Sequence, residues 1–133
     1  MSTDIERELG RTTQMRGFRY GLHDFTASVR GVEALKKHND NSEANYLKKG
    51  LLDRKTKELV IVAALMAAKD CVSHMQIHMY AAHKAGATPE EILEVLDRVS
   101  GHCGSVAKIG GLEAWRATFR PDLPTIDRVV ELR

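Results

Sequence analysis

The chain has 133 residues and a formal net charge of +2, with 43% hydrophobic and 29% charged residues. This small charge, with basic and acidic residues interleaved as in residues 53–58, argues against a nucleic-acid partner. The longest apolar run, residues 59–68, is only about half of a membrane span, so no membrane association is expected.

The first third of the chain predicts a helical lead-in, residues 1–49. A short helix and an irregular segment are expected within residues 1–20. Apolar residues then recur at spacings of three and four, which predicts a single helix with one buried stripe from residue 22 to about 37. Residues 38–41 are typical of a break, with Ser42 as the N-cap of a short helix that ends near Gly50.

The middle of the chain predicts two further helices. Asp53 is a good N-cap for a helix that carries the apolar run 59–68, and the Ala-rich composition favours helix over a buried strand. Because that run is apolar all round, we expect it to be buried on all sides, by sibling helices or by another subunit. Asp70 is the expected N-cap of the next helix, from Cys71 to about Ala85, with Gly86 as its stop.

The last third begins with a strong helix start. Thr88 is the expected N-cap, Pro89 takes the first helical position, and Glu91 completes a capping box. A further helix is expected after residues 101–104, ending near Phe119. A turn between two prolines then leads into a last short helix, residues 125–132. The chain is therefore expected to be all-α and one domain, residues 1–133.

One short stretch carries most of the chemistry. Helical spacing places Cys71, His74 and His78 on one face. A cysteine in the first turn of a helix, close to an imidazole, favours the thiolate, and a thiolate attacks peroxides and disulfides. The alternative is that Cys71 is a small packed residue and that the histidines are ordinary satisfied polar groups.

A metal site is the next interpretation of this stretch. His74 and His78 could share one ion. However, Cys71 and His78 lie about 10 Å apart along the helix axis, and the first histidine lacks the glutamate that follows it in metalloprotease helices. We therefore expect neither a metal nor another cofactor.

Two residues outside this stretch are candidates for supporting roles. Glu58, at the border of the apolar run, could exchange a proton with a neighbouring His or Cys. Alternatively, it could be a first-turn glutamate that interacts favourably with the helix dipole. Cys103, beside a glycine, could be a resolving thiol or a packed small residue. Two cysteines and no signal-peptide pattern predict reduced thiols in the cytoplasm.

The order of these pieces resembles the carboxymuconolactone decarboxylase family, which includes the alkylhydroperoxidase D group. The resemblance is carried by residues 52–59, the helix from Cys71 through His78, and residues 81–92, and it covers roughly residues 50–117. It implies an all-α fold of packed helical hairpins, about six to seven helices, assembled as a trimer or hexamer with sites near subunit contacts.

The resemblance also implies site residues. In the redox branch, a Cys-x-x-Cys motif followed four residues later by His works with an upstream Glu. Cys71, His78 and Glu58 match these positions, whereas His74 stands where the second Cys belongs. The lactone decarboxylase branch typically has Glu at the position of His74. Neither pattern is matched fully.

The leading functional hypothesis is a cysteine-based peroxidase or thiol-disulfide oxidoreductase that uses Cys71 with His74 and His78. A sulfenic acid on Cys71 would then be resolved by Cys103, a partner subunit or an external thiol reductant. The second hypothesis is a decarboxylase or isomerase that acts on a small carboxylated lactone, with the two histidines as acid and base. The third is a non-catalytic oligomer that binds a small ligand.

Overall fold

The computed structural model describes residues 3–133, which contain seven α-helices, a π-helical segment and no strand. The all-α prediction is confirmed. The contacts within the chain divide it into two compact units, Met1–Leu51 and Leu52–Arg133. None of the helices in the described residues is both long and apolar enough to cross a bilayer.

The first unit contains α1 (Asp4–Arg16), α2 (Gly21–Phe25), the π-helical segment Thr26–Arg30 and α3 (Val32–Ala44). Thr3 and Glu6 form a capping box that starts α1. This unit buries few apolar side chains, among them Ala27 and Leu35. Much of its interior is polar, with buried Thr12, His23, Thr26, Asn39 and Ser42.

Two predictions for the first unit are wrong. Residues 22–37 do not form one helix, because Gly31 adopts φ 95° after the π-helical segment and separates it from α3. The wider π turn changes which residues face inward. As a result, three apolar residues of the predicted stripe are exposed, namely Leu22, Phe25 and Val29.

The predicted break at residues 38–41 is absent, and α3 continues to Ala44 with Ser42 inside it. Asn39 normally favours turns because its side chain competes for backbone groups. Here its amide instead donates to the carbonyl of Glu8 at 3.1 Å and accepts from the Thr12 hydroxyl at 2.9 Å. These contacts with α1 outweigh the local preference.

The second unit packs four helices around one apolar core: α4 (Arg54–Ala67), α5 (Val72–Lys84), α6 (Pro89–Cys103) and α7 (Ser105–Phe119). The predicted caps at Asp53 and Thr88 are confirmed. Gly86 follows α5 with φ 106°, as a helix stop requires. The core contains Val62, Met66, Met75, Met79, Ile92 and Leu96.

Sibling helices alone do not cover α4 on all sides, since Val60 is 55% exposed, and burial of this face by another subunit stays a prediction. One prediction for the second unit is wrong. The expected helix at residues 125–132 is absent. Its apolar residues Val129, Val130 and Leu132 are 72%, 71% and 91% exposed. Without a buried face, so short a helix is not stable.

Candidate active site

The candidate site is built where α4 and the start of α5 meet. Helix α5 begins at Val72, and Cys71 is its N-cap, with φ −67° and ψ 148°. The prediction that Asp70 caps this helix is therefore wrong by one residue. The Asp70 carboxylate has other partners, because it accepts from the Cys71 backbone N–H at 2.8 Å and pairs with the ring of His74.

Glu58 and His78 form the buried half of the site. Glu58 lies in the second turn of α4 and is fully buried. Its Oε2 lies 2.9 Å from Nδ1 of His78, which is 12% exposed. A buried carboxylate requires charged or hydrogen-bonding partners. Because a carboxylate only accepts, the imidazole donates from Nδ1, and Nε2 becomes the nitrogen for chemistry.

Arg54 completes the environment of Glu58. Its Nε donates to Glu58 Oε1 at 2.9 Å, from the preceding turn of α4. The Arg54 side chain is 31% exposed, so its positive charge is accessible to solvent although the carboxylate beside it is buried. This cation offsets the charge of the buried Glu58 carboxylate.

Asp70 and His74 form a second, more exposed pair. Oδ2 of Asp70 accepts from Nδ1 of His74, whose side chain is 42% exposed. This hydrogen bond, followed by the one from the Cys71 N–H, lowers the pKa of Asp70. As in the first pair, the carboxylate binds Nδ1, so any proton exchange with a bound molecule takes place at Nε2.

The two pairs adjoin each other. The rings of His74 and His78 are in edge-on contact, with centroids 5.1 Å apart and planes at 74°. The site thus contains two neighbouring imidazoles, each held by its own carboxylate through the same ring nitrogen. Such an arrangement can deliver and remove protons at two points of one small molecule.

Cys71 is exposed, and its sulfur lies 3.5 Å from the hydroxyl of Ser73. Among the described residues, the sulfur has no hydrogen bond to either imidazole. It does occupy the N-cap of a 13-residue helix, where the helix dipole favours an anion. The structure therefore places Cys71 next to the paired histidines without engaging it with them.

Cys103 is the last residue of α6, and its sulfur donates to the Val99 carbonyl at 3.4 Å. It packs against the core of the second unit, and both cysteines are free thiols. Its role as a resolving thiol stays a prediction. No group of three or more metal-ligating side chains occurs in residues 3–133.

The structure thus brings together Glu58, His74 and His78 of the predicted set. The sequence interpretation missed Asp70 and Arg54 as partners. Arg54 stands four residues before Glu58, a spacing that brings two side chains together on a helix. Asp70 stands four residues before His74, just outside the helix that carries it. That signal was present in the sequence.

A comparison with known families agrees with this architecture. The sequence model of the carboxymuconolactone decarboxylase family matches residues 33–117, more than half of the chain. No curated protein and no solved structure matches it. The matched segment includes both carboxylate–imidazole pairs and Cys71. The chain therefore belongs to the carboxymuconolactone decarboxylase family.

Proposed function

We propose that the protein is an acid–base enzyme that decarboxylates or isomerises a small carboxylated lactone or a related ring. The observation that carries this proposal is the Glu58–His78 pair, in which a fully buried carboxylate lies 2.9 Å from Nδ1 of the imidazole. A carboxylate in this position fixes the tautomer and the orientation of the ring. His78 is then ready to transfer a proton through Nε2.

The proposed reaction requires one proton at a defined carbon. In a decarboxylation, the bond to the carboxyl carbon breaks, CO₂ leaves, and the electron pair moves into the conjugated carbonyl system. An imidazolium then delivers a proton to the ring carbon. His78 and His74 are adjacent, so one can donate this proton while the other binds the ring oxygen.

A carboxylated substrate also requires a cation. Arg54 is the basic residue next to the buried pair, and 31% of its side chain is exposed. Guanidinium groups bind carboxylates through two parallel hydrogen bonds. We therefore assign Arg54 the role of holding the substrate carboxylate, together with its contact to Glu58.

The experiment is turnover of a small carboxylated lactone, measured as CO₂ release. Replacing His78 by Asn removes the proton-transfer group, and we expect kcat to fall by about 100- to 10,000-fold. His83→Asn is the matched control, because His83 lies on the same helix but its ring donates to the Ala87 carbonyl instead. Cys71→Ser should keep full turnover. Loss of turnover in Cys71→Ser would contradict the proposal, because it would show that the reaction requires the thiol.

A second candidate function is a cysteine-based peroxidase or thiol-disulfide oxidoreductase. The observation that favours it is the exposed Cys71 at the N-cap of α5. In that reaction the Cys71 thiolate attacks the hydroperoxide, gives an alcohol and becomes a sulfenic acid, which an external thiol then reduces. The redox function ranks second because both imidazoles form hydrogen bonds with carboxylates and neither forms one with the Cys71 sulfur.

The two candidates give opposite results for the same variant. With cumene hydroperoxide and excess dithiothreitol, a peroxidase loses its activity in Cys71→Ser, while lactone turnover does not depend on this change. Titration of Cys71 with an alkylating reagent gives an independent test. An alkylation rate that rises only above about pH 8.5, the range of a free thiol, would argue against the redox role.

We also propose that copies of this chain assemble into a trimer or hexamer. Val60 is 55% exposed on α4. A groove of about 370 Å³ between α4 and α6 has an apolar floor of Leu59, Val95 and Val99 and is bordered by Glu91, Glu94 and Arg98. An exposed apolar surface of this kind is typical of an interface. Light scattering tests the assembly, and Val60→Glu should shift it toward the monomer.

A further inference from the structure

Three buried nitrogen atoms in the first unit have no hydrogen-bond partner among the described residues. They are Nε of Arg16, Nε2 of His23 and Nε2 of His38. Buried polar atoms in native proteins are almost always hydrogen-bonded, to protein or to a bound molecule. Three such atoms in one region indicate an occupant that the protein chain itself does not provide.

These residues form one cluster at the junction of α1, α2 and α3. The rings of His23 and His38 lie 5.3 Å apart, and those of Tyr20 and His23 lie 4.6 Å apart. The guanidinium carbon of Arg16 lies 5.0 Å from the ring centre of Tyr46 and 5.9 Å from that of Tyr20. These contacts place the three unpartnered nitrogen atoms in one compact cluster.

The cluster is positively charged and has no counter-ion of its own. Arg16 donates from Nη2 to the Ser42 hydroxyl at 3.0 Å, but no carboxylate in residues 3–133 lies within ion-pair distance of it. The acidic group that acts on His23 is Asp24, which is half exposed and already pairs with Arg19 at 3.1 Å. A cation this enclosed normally has an anionic partner.

The histidines can add positive charge when an anion is present. His23 is fully buried, and its Nδ1 donates to the Tyr20 carbonyl at 3.2 Å, so Nε2 becomes a donor only on protonation. Burial, then the charges of Arg16 and His38, lower the pKa of His23 to about 4. Burial and Arg16 also lower the pKa of His38. A bound anion would attract the protonated imidazoles and raise their pKa values, against the repulsion from Arg16.

We propose that a chloride-sized anion binds between Arg16 Nε and the Nε2 atoms of His23 and His38, and that its binding is coupled to proton uptake by these histidines. The Arg16 N–H donates to the anion at all pH values. Each protonated imidazole adds another donor and another positive charge. Bound anion therefore links α1, α2 and α3 more strongly as the pH falls.

Bromide is the probe for the site. Crystals of the full chain soaked in sodium bromide at pH 5 should give an anomalous peak at the cluster. The competing outcome is a buried water molecule, which could donate to His23 and accept from Arg16. Absence of a bromide peak, with density for water instead, would overturn the proposal.

Solution measurements test the coupling to protons. The urea midpoint of the wild type should be higher in sodium chloride than in sodium gluconate of equal ionic strength. From the resulting affinities we expect chloride to bind at least about tenfold more tightly at pH 5 than at pH 8. A chloride effect that does not depend on pH would contradict the proposed proton uptake.

A pair of conservative variants localises the effect. Arg16→Lys keeps the positive charge but removes the Nε donor, so the chloride-dependent rise of the midpoint should fall to that of a nonspecific salt effect. Arg30→Lys makes the same change at an exposed position of the same unit and should leave the effect intact. Equal chloride responses in the two variants would place the ion elsewhere and refute the assignment.

Discussion

Replacement of Glu58 tests the buried half of the candidate site without requiring a substrate. Glu58 has no exposed surface, and each of its oxygens accepts a hydrogen bond of 2.9 Å, from Arg54 and from His78. Removing one partner of a buried ion pair typically costs about 3–5 kcal/mol. We expect Glu58→Ala to lose free energy of unfolding within this range.

Glu58→Gln is the more informative change, because it preserves the shape of the side chain. The amide retains one acceptor, but its NH₂ group must face either Arg54 or His78, both of which donate. We expect the free energy of unfolding to fall by about 2 kcal/mol, since one charge-assisted hydrogen bond is lost and the new NH₂ group faces another donor. The assay is urea denaturation followed by circular dichroism and by the fluorescence of Trp115, the single tryptophan, which lies in the second unit.

Glu131→Gln is the control for this prediction. Glu131 is 67% exposed and lies 2.9 Å from Arg133, outside every helix, so its replacement should leave the unfolding midpoint unchanged. The ¹⁵N spectrum of His78 gives a second measurement, because Glu58 should hold the proton on Nδ1. If Glu58→Gln matches the wild type in stability and His78 keeps its tautomer, the buried pair does not have the role assigned to it.

Three further outcomes follow from the described residues. A Cβ at Gly111 would lie 2.5 Å from Met66 Sδ, so Gly111→Ala should destabilise the protein by about 1–2 kcal/mol, whereas Gly110→Ala, 3.7 Å from Met75 Cε, should not; thermal melting compares the two. Thr88→Ala removes the capping box of α6 and should cost about 1 kcal/mol in urea denaturation. Because burial lowers the pKa of His23 from 6.5 to about 4, the unfolded state takes up a proton first, so stability should fall by roughly 3 kcal/mol between pH 6.5 and pH 4 in chloride-free buffer. His23→Asn should abolish this part of the pH dependence, and an unchanged slope would contradict it.

The sequence predicted the helices whose ends carry their own signals. Asp53 and Thr88 each accept a hydrogen bond from a backbone N–H three residues later, as a cap must, and both were identified from residue type and spacing. The stop at Gly86 follows the same local chemistry. These features depend on neighbouring residues alone, so no tertiary structure was required to predict them.

The first unit could not be predicted in the same way, because its interior is held by polar contacts between distant parts of the chain. The helix through Asn39 is stabilised by hydrogen bonds to residues about 30 positions earlier, which no local window contains. The π-helical segment before Gly31 also rotates the buried face, so a periodic apolar pattern pointed to the wrong residues.

Within the candidate site, the sequence pointed to Glu58, His74 and His78 but not to the hydrogen bonds that orient them. In the proposed function, the identity of residue 74 favours proton transfer over redox chemistry. A second thiol at this position could form a disulfide with Cys71, whereas His74 instead pairs with Asp70 and meets His78 edge-on. A histidine with its own carboxylate thus stands where a cysteine could have resolved an oxidised Cys71, and in the proposed function this histidine carries a proton. Asp70→Asn tests this step: it should release His74 and lower acid–base turnover while leaving the alkylation of Cys71 nearly unchanged. The opposite pattern would show that the Asp70–His74 pair serves the thiol.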